Sequence, residues 1–151
     1  MIVIASDHGG LELKEAIKGL LQERGEACTD LGPCDGTSVD YPDFGQQVAR
    51  RVSGGAAQLG ILVCGTGIGM SIVANKFPGI RAALATDVFM ATMAKEHNNA
   101  NILVLGGRVI DAAAARSMVA AWLDTEFAGG RHQARLDKIT ALEGELKLQA
   151  V

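Results

Sequence analysis

Gly60-Ile61-Leu62-Val63-Cys64-Gly65-Thr66-Gly67-Ile68-Gly69-Met70-Ser71 is the stretch whose reading decides the fold. Ile61, Leu62 and Val63 form a short apolar run suited to a strand buried on both faces. The alternating glycines after it suit a backbone that curls tightly and turns successive N–H groups into one concavity. A helix starting near Ile68 adds its positive end, so strand, nest and helix together make an anion site with Cys64 at its rim.

Outward from this unit, the rest of the chain repeats the same alternation. Ile2 to Ala5 is an apolar run ended by the polar, glycine-rich Ser6-Asp7-His8-Gly9-Gly10. Leu13, Ala16, Ile17, Leu20 and Leu21 then recur at helical spacing up to Arg24, with Gly25 as the stop. Glu26 to Leu31 alternates weakly and enters the loop Gly32 to Ser38, a candidate lid. Tyr41-Pro42-Asp43 opens a helix with Phe44, Val48 and Val52 on one face. Beyond the nest, a helix to Lys76 ends before Pro78-Gly79, and Ile80 to Ala85 is a strand interrupted by Arg81. Asp87 is placed to cap the next helix, which ends at Glu96-His97-Asn98-Asn99. Ile102 to Leu105 is a fifth strand, and Asp111 caps a helix in which Ala115, Met118, Val119 and Trp122 share a face. From Arg131 to about Leu148, Leu136, Ile139, Leu142 and Leu146 lie on a narrow stripe, which reads as a helix packing on a partner subunit.

Strands alternating with helices predict a parallel sheet, because parallel neighbours need crossover connections. The expectation is an α/β fold: one domain over residues 1–151, a doubly wound five-stranded sheet with helices on both faces. Ligands in such folds lie beyond the carboxyl ends of the strands, where Asp7, His8, Cys64 and the nest fall.

Composition narrows the function. With 151 residues, 48% hydrophobic content and a net charge of −3, the chain has ample core and lacks the basic face of a nucleic-acid binder. Three cysteines without a C-x-x-C give neither a zinc framework nor a disulfide pattern, so they read as reduced thiols. No apolar run approaches a membrane span and a strand begins at Ile2, so a soluble, cytoplasmic protein without a signal peptide is expected.

The nest is neither a P-loop, which needs G-x-x-x-x-G-K-[ST], nor a full dinucleotide fingerprint, since Met70 stands where glycine is required. An anion or oxyanion site, a nucleotide site with Asp87 as the ribose acid, and a merely tight turn all remain open. Cys64 reads either as a small buried hydrophobe or as a thiolate favoured by the inward N–H groups. Cys28 and Cys34 have no such setting. His8, in a polar glycine loop, is a functional candidate, and His132 is a weaker one. His97 ends a helix antiparallel to the strands, so it belongs at the opposite end of the sheet from Cys64: either a helix cap or a contribution to a neighbouring subunit. Arg131 and Arg135, at i and i+4, precede Asp137 and Glu143, so the start of the last helix carries unneutralised guanidinium groups fit for a phosphate. Arg108, after a strand and two glycines, is similar.

Ser6-Asp7-His8, Asp40-Tyr41-Pro42, Cys64 to Gly69, Ala74-Asn75-Lys76, Glu96-His97-Asn98, Gly107-Arg108-Val109 and Gly130-Arg131-His132-Gln133 follow one another in this order. In these motifs the chain resembles, over essentially its whole length, the sugar-phosphate isomerase family that includes ribose-5-phosphate isomerase B and the galactose-6-phosphate isomerase subunits. The resemblance implies a Rossmann-like fold, a homodimer or dimer of dimers, and aldose–ketose isomerisation of a sugar phosphate without metal or organic cofactor. The implied reaction converts ribose 5-phosphate and ribulose 5-phosphate through a cis-enediolate, a step of the pentose phosphate pathway.

By the same resemblance Cys64 is the base between C1 and C2, and His97, with Thr66, assists ring opening. The backbone of Gly65, Thr66, Gly67, Ile68 and Gly69 stabilises the enediolate oxygen. Asp7 and Asn98 bind sugar hydroxyls, His8, Arg108, Arg131 and Arg135 bind the phosphate, and Tyr41 lines the substrate site. Combined with the placement of His97, this gives an active site shared between subunits. Allose 6-phosphate, galactose 6-phosphate or a tetrose phosphate are alternative substrates. A non-catalytic nucleotide- or phosphate-binding module is the alternative of another class.

Overall fold

A computed structural model describes residues 1–149, and the side chains up to residue 146. The last two positions of the expected 1–151 domain, 150 and 151, lie outside the described residues. Five strands, β1 (Ile2–Ser6), β2 (Cys28–Asp30), β3 (Leu59–Cys64), β4 (Ala82–Leu84) and β5 (Ile102–Gly106), form one sheet in the order β2-β1-β3-β5-β4. Every pairing is parallel. Six helices connect and flank them: α1 (Leu11–Glu23), α2 (Tyr41–Ser53), α3 (Ile68–Ala74), α4 (Val88–Glu96), α5 (Ala112–Asp124) and α6 (Arg131–Gln149).

Alternation along the strands sorts the core into two layers. Ile2, Ile4, Ile61, Val63, Leu103 and Leu105 face α1, α4 and α5, where Leu13, Ile17, Leu21, Ala91, Met118 and Trp122 meet them. Val3, Ala5, Leu62, Cys64, Ile102 and Val104 face α2 and α3, against Val48, Ala49, Met70 and Ala74. Each fully buried Leu, Ile or Val stabilises the fold by about 1.5–3 kcal/mol, and the three central strands and the helices packed on them share this burial. The stripe Ala115, Met118, Val119 and Trp122 is buried in full, as its helical spacing predicts.

The ends of the helices follow the sequence closely. Asp87 accepts a hydrogen bond from the Met90 N–H at 2.7 Å, and Asp111 accepts one from Ala114 at 2.7 Å. Two boundaries differ from expectation. His8–Gly10 is a short 3-10 turn rather than open loop, capped by Asp7 through the Gly10 N–H. The strand expected from Ile80 to Ala85 shortens to β4, because the Arg81 guanidinium turns to the Asn98 and Asn99 carbonyls and its amide to the Asn101 side chain. On the outer side of β4, the Asn75 carboxamide donates to the Ala82 carbonyl at 2.9 Å and accepts from the Ala82 N–H at 3.0 Å.

The last helix is tied to its own chain before its first turn and along its length. Leu136 is buried, the Ala128 N–H donates to the Glu96 carbonyl, and Glu143 accepts from the Gly79 N–H. Ile139, Leu142 and Leu146 stay about half exposed, as do Ile68, Ile72, Val88, Met90 and Val109, while Phe89 is more exposed still. No helix among the described residues is long and apolar enough to cross a membrane.

Candidate active site

β1, β3 and β5 end side by side, and the turns that follow them meet above the sheet. Asp7 N–H donates to the Val63 carbonyl, Gly107 N–H to the Cys64 carbonyl, and Arg108 N–H to the Gly65 carbonyl. These bonds bring Asp7, Cys64 and Arg108 from positions far apart in sequence to one end of the sheet. Cys64 is the last residue of β3 and buried, its side chain on the α2/α3 layer. Gly67 adopts φ +81° and directs its N–H at the Cys64 sulfur, 3.2 Å away. A side chain at position 67 would be strained by that φ and would run into Leu84, so the turn needs glycine twice over. A donor aimed at sulfur stabilises negative charge there. It also takes the Gly67 amide out of the open space, which leaves any oxyanion to the other amides of the Gly65–Gly69 turn.

Thr66 is exposed on the turn, and its hydroxyl accepts from the Ile68 N–H at 3.4 Å. The Tyr41 ring lies over Gly69 so closely that a Cβ at position 69 would sit 2.6 Å from the ring. Beside Gly65 runs the Arg108 side chain. Asp7 is 8% exposed. His8 accepts at Nδ1 from the Val39 N–H at 3.3 Å, and a hollow of about 270 Å³ opens next to it, lined also by Glu12, Gly107 and Asp111. Asp87, the residue a nucleotide reading would assign to ribose, is engaged in capping α4.

The other candidates lie at the opposite end. α4 descends from Asp87 to its C-cap His97, and Asn98 follows before β5 begins at Ile102. Since Gly106 of β5 pairs with Cys64, the length of β5 alone, roughly 13 Å, separates the two ends along the strand direction. His97 stacks on His132, with ring centroids 4.1 Å apart and planes within 11°. Arg131 reaches the His132 ring at 3.5 Å, and Arg135 follows one turn later on the exposed side. Burial, reinforced by His97 and by the cations of Arg131 and Arg135, holds His132 below the usual histidine range, against a smaller opposing effect of Glu96. Among the described residues neither arginine forms an ion pair within its own chain. A second hollow of about 250 Å³ lies here, lined in part by Arg81, Asn98 and Leu136.

The structure thus gathers Asp7, His8, Tyr41, Cys64, Gly65, Thr66, Gly67, Ile68, Gly69 and Arg108, and sets His97, Asn98, Arg131 and Arg135 apart from them. His132 matters more than the sequence suggests: flanked by charged and polar residues it reads as exposed, and only the long-range contact with His97 reveals it. Cys28 is half-buried, and burial together with the nearby Asp30 charge pushes its thiol up to about 11, which makes it unreactive. No group of three or more potential metal ligands occurs among the described residues.

A parallel α/β sheet with a thiol, a carboxylate and a glycine nest at the carboxyl ends of its central strands defines a class, the Rossmann-like enzymes that act on small anionic substrates. Within that class the chain belongs to the ribose/galactose isomerase family, whose model matches residues 2–139. A solved structure of ribose-5-phosphate isomerase B from Clostridium thermocellum is 51% identical, covers 96% of this chain and 98% of its own, and superposes with a TM-score of 0.94. That of the Mycoplasma genitalium enzyme, with ribulose 5-phosphate bound, is 43% identical over 95% and 96% of the two chains, with a TM-score of 0.92. The D-erythrulose-4-phosphate isomerase of Pectobacterium atrosepticum is 42% identical over 98% of each chain.

Proposed function

We propose that this isomerase interconverts ribose 5-phosphate and ribulose 5-phosphate, with Cys64 as the base. The observation that carries this reading is the Cys64 sulfur at the head of β3, receiving the Gly67 N–H beside a turn of further amides. Removing a proton next to a carbonyl moves that proton onto the thiolate and puts negative charge on the substrate's carbonyl oxygen, so a thiolate beside fixed donors serves both halves of the step. Asp7 and Asn98 hold sugar hydroxyls, Tyr41 lines the substrate, Thr66 assists His97 in ring opening, and His8 and Arg108 meet the phosphate. The proton shuttles on one base between C1 and C2, and no cofactor is required for it. Three free thiols among the described residues suit a reducing cytoplasm.

His97, Asn98, Arg131 and Arg135 come from a second copy in this reading, giving a homodimer or dimer of dimers with shared sites. What supports it is the separation of the two groups and the apolar residues left exposed at the carboxyl end of the sheet, Ile68, Val88, Phe89 and Val109. Mixing unfolded Cys64→Ala and His97→Asn chains and refolding them together tests the sharing. Each hybrid dimer then regains one intact site of two, so about a quarter of the normal activity returns on random pairing. A mixture as inactive as its components overturns the shared site.

A tetrose phosphate is the second reading, favoured by the near-full-length match to an erythrulose-4-phosphate isomerase. Allose 6-phosphate and galactose 6-phosphate complete the panel to be assayed. Faster turnover of any of these than of ribose 5-phosphate replaces the substrate named here. Binding of NAD or ATP with no isomerisation at all would instead favour a non-catalytic module.

A further inference from the structure

Lys14 is entirely buried, an unusual state for an ammonium group, yet it belongs to none of the chemistry described above. Its Nζ donates to Asp30 Oδ1 at 2.9 Å and to the Pro33 carbonyl at 2.5 Å. Asp30 also accepts from the Gly32 N–H at 2.8 Å and pairs with Lys18 at 2.7 Å. The Gly32 carbonyl in turn accepts from Ser6 N–H, the last residue of β1. A charge this deeply buried persists only where fixed acceptors surround it, and one of the two here is the backbone at the start of a loop.

That loop, residues 33–40, runs from the end of β2 to the start of α2 without pairing to any strand. Its far end makes two contacts at the candidate site. Val39 N–H donates to His8 Nδ1, and the chain then delivers the Tyr41 ring onto Gly69. A ring nitrogen that accepts a hydrogen bond carries no proton, so neutral His8 is held with its proton on Nε2. Nε2–H is then the donor that His8 offers to an anion.

We propose that Lys14 is a positioning residue: by fixing Pro33 from beneath, its ammonium group holds the 33–40 loop so that Val39 sets the His8 tautomer and Tyr41 covers the nest. On this reading the loop, which includes most of the candidate lid Gly32 to Ser38, is a pinned strap. The substrate-affinity part of this inference rests on the reading of the site as a sugar-phosphate isomerase; the tautomer part does not.

Nitrogen-15 NMR of histidine-labelled protein reads the tautomer directly. The unaltered chain should show His8 as the Nε2–H form. In Lys14→Met, His8 should shift to a mixture of tautomers, and KM for ribose 5-phosphate should rise about tenfold with kcat within about twofold. Lys18→Met removes an ion pair from the same Asp30 without touching the loop, so both readouts should stay put. Unchanged His8 signals and KM in Lys14→Met overturn the proposal, as do equal effects in Lys18→Met. A tautomer change with no isomerase activity in any variant would instead sink the substrate reading and leave the positioning role standing. Were Lys14→Met not to fold, Lys14→Gln, which keeps a donor on a shorter stem, carries the test through amide exchange. The Val39 N–H should be protected in the unaltered chain and lose protection in Lys14→Gln; an unprotected Val39 in the unaltered chain, or one unchanged by the substitution, overturns it.

Discussion

The two ends of the sheet are built to different specifications. At the carboxyl end, three side chains are held by backbone amides: Cys64 by Gly67, Asp7 by Gly10, His8 by Val39. At the amino end, Arg131 and Arg135 stand exposed at the start of α6, beside one imidazole stacked on another. One end has the proposed base and fixed donors beside the Arg108 cation. The other has cations and imidazoles with no base beside them. Reaction centres tolerate little misplacement, whereas a phosphate clamp works through charge over a wider range of geometry, and the contrast in construction suits the roles proposed for the two ends.

The largest effect expected from breaking the contrast is at Cys64. Cys64→Ala should lower kcat by about 10²–10⁴ with little change in KM, since a base acts in the transition state and not in binding. Full activity in this variant, measured by ketose formation from ribose 5-phosphate, removes the thiol from the mechanism. Next comes the clamp: Arg131→Ala and Arg135→Ala should each cost about tenfold or more in kcat/KM, mainly through KM, with melting temperature unmoved because neither side chain is buried or paired. A loss confined to kcat would place these arginines at the reacting atoms instead.

Acid should separate the ends further. His132 is held below its ordinary range in the folded chain, so the unfolded chain binds more protons as pH falls through about 6.5. The stabilisation it allows is full above that pH and is lost below it. Urea midpoints should therefore fall between pH 8 and 5.5, and His132→Asn should flatten the decline. Asp30 acts lower down. Burial pushes its carboxyl up, but hydrogen bonds from Lys14, Lys18 and Gly32 outweigh this and hold it below the ordinary carboxylate range. Its contribution is full above about pH 4 and disappears as pH falls through the depressed value. The smallest effect is at Asp87: replacing it with Ala should cost about 1 kcal/mol of stability through the lost cap, with turnover unchanged. A collapse of turnover would revive the nucleotide reading of that carboxylate.

Much of this was legible in the chain itself. Strand runs such as Ile61-Leu62-Val63, the stripe ending in Trp122, and the caps Asp87 and Asp111 depend on local spacing, and local spacing survives folding. The direction of α4 follows from its place between two parallel strands, which is why His97 could be assigned to the far end. Lys14 was not legible. It sits between Leu13 and Glu15 on a helix where a lysine reads as solvent-facing, and its acceptors lie 16 and 19 residues away. The His97–His132 stack spans 35 positions and leaves no periodic trace. Gly67 could be read as a turn residue, but not as the donor to sulfur, because that depends on how sharply the chain folds back after β3.

Asn75 closes part of one border of the sheet. Parallel sheets end in a strand with unpaired backbone groups, and such a strand invites a neighbour to add on. Here a side chain imitates that neighbour, giving Ala82 both its donor and its acceptor. A sixth strand approaching β4 would have to expel a carboxamide that already fills the position. Strand-to-strand pairing of one copy on another is therefore blocked at Ala82.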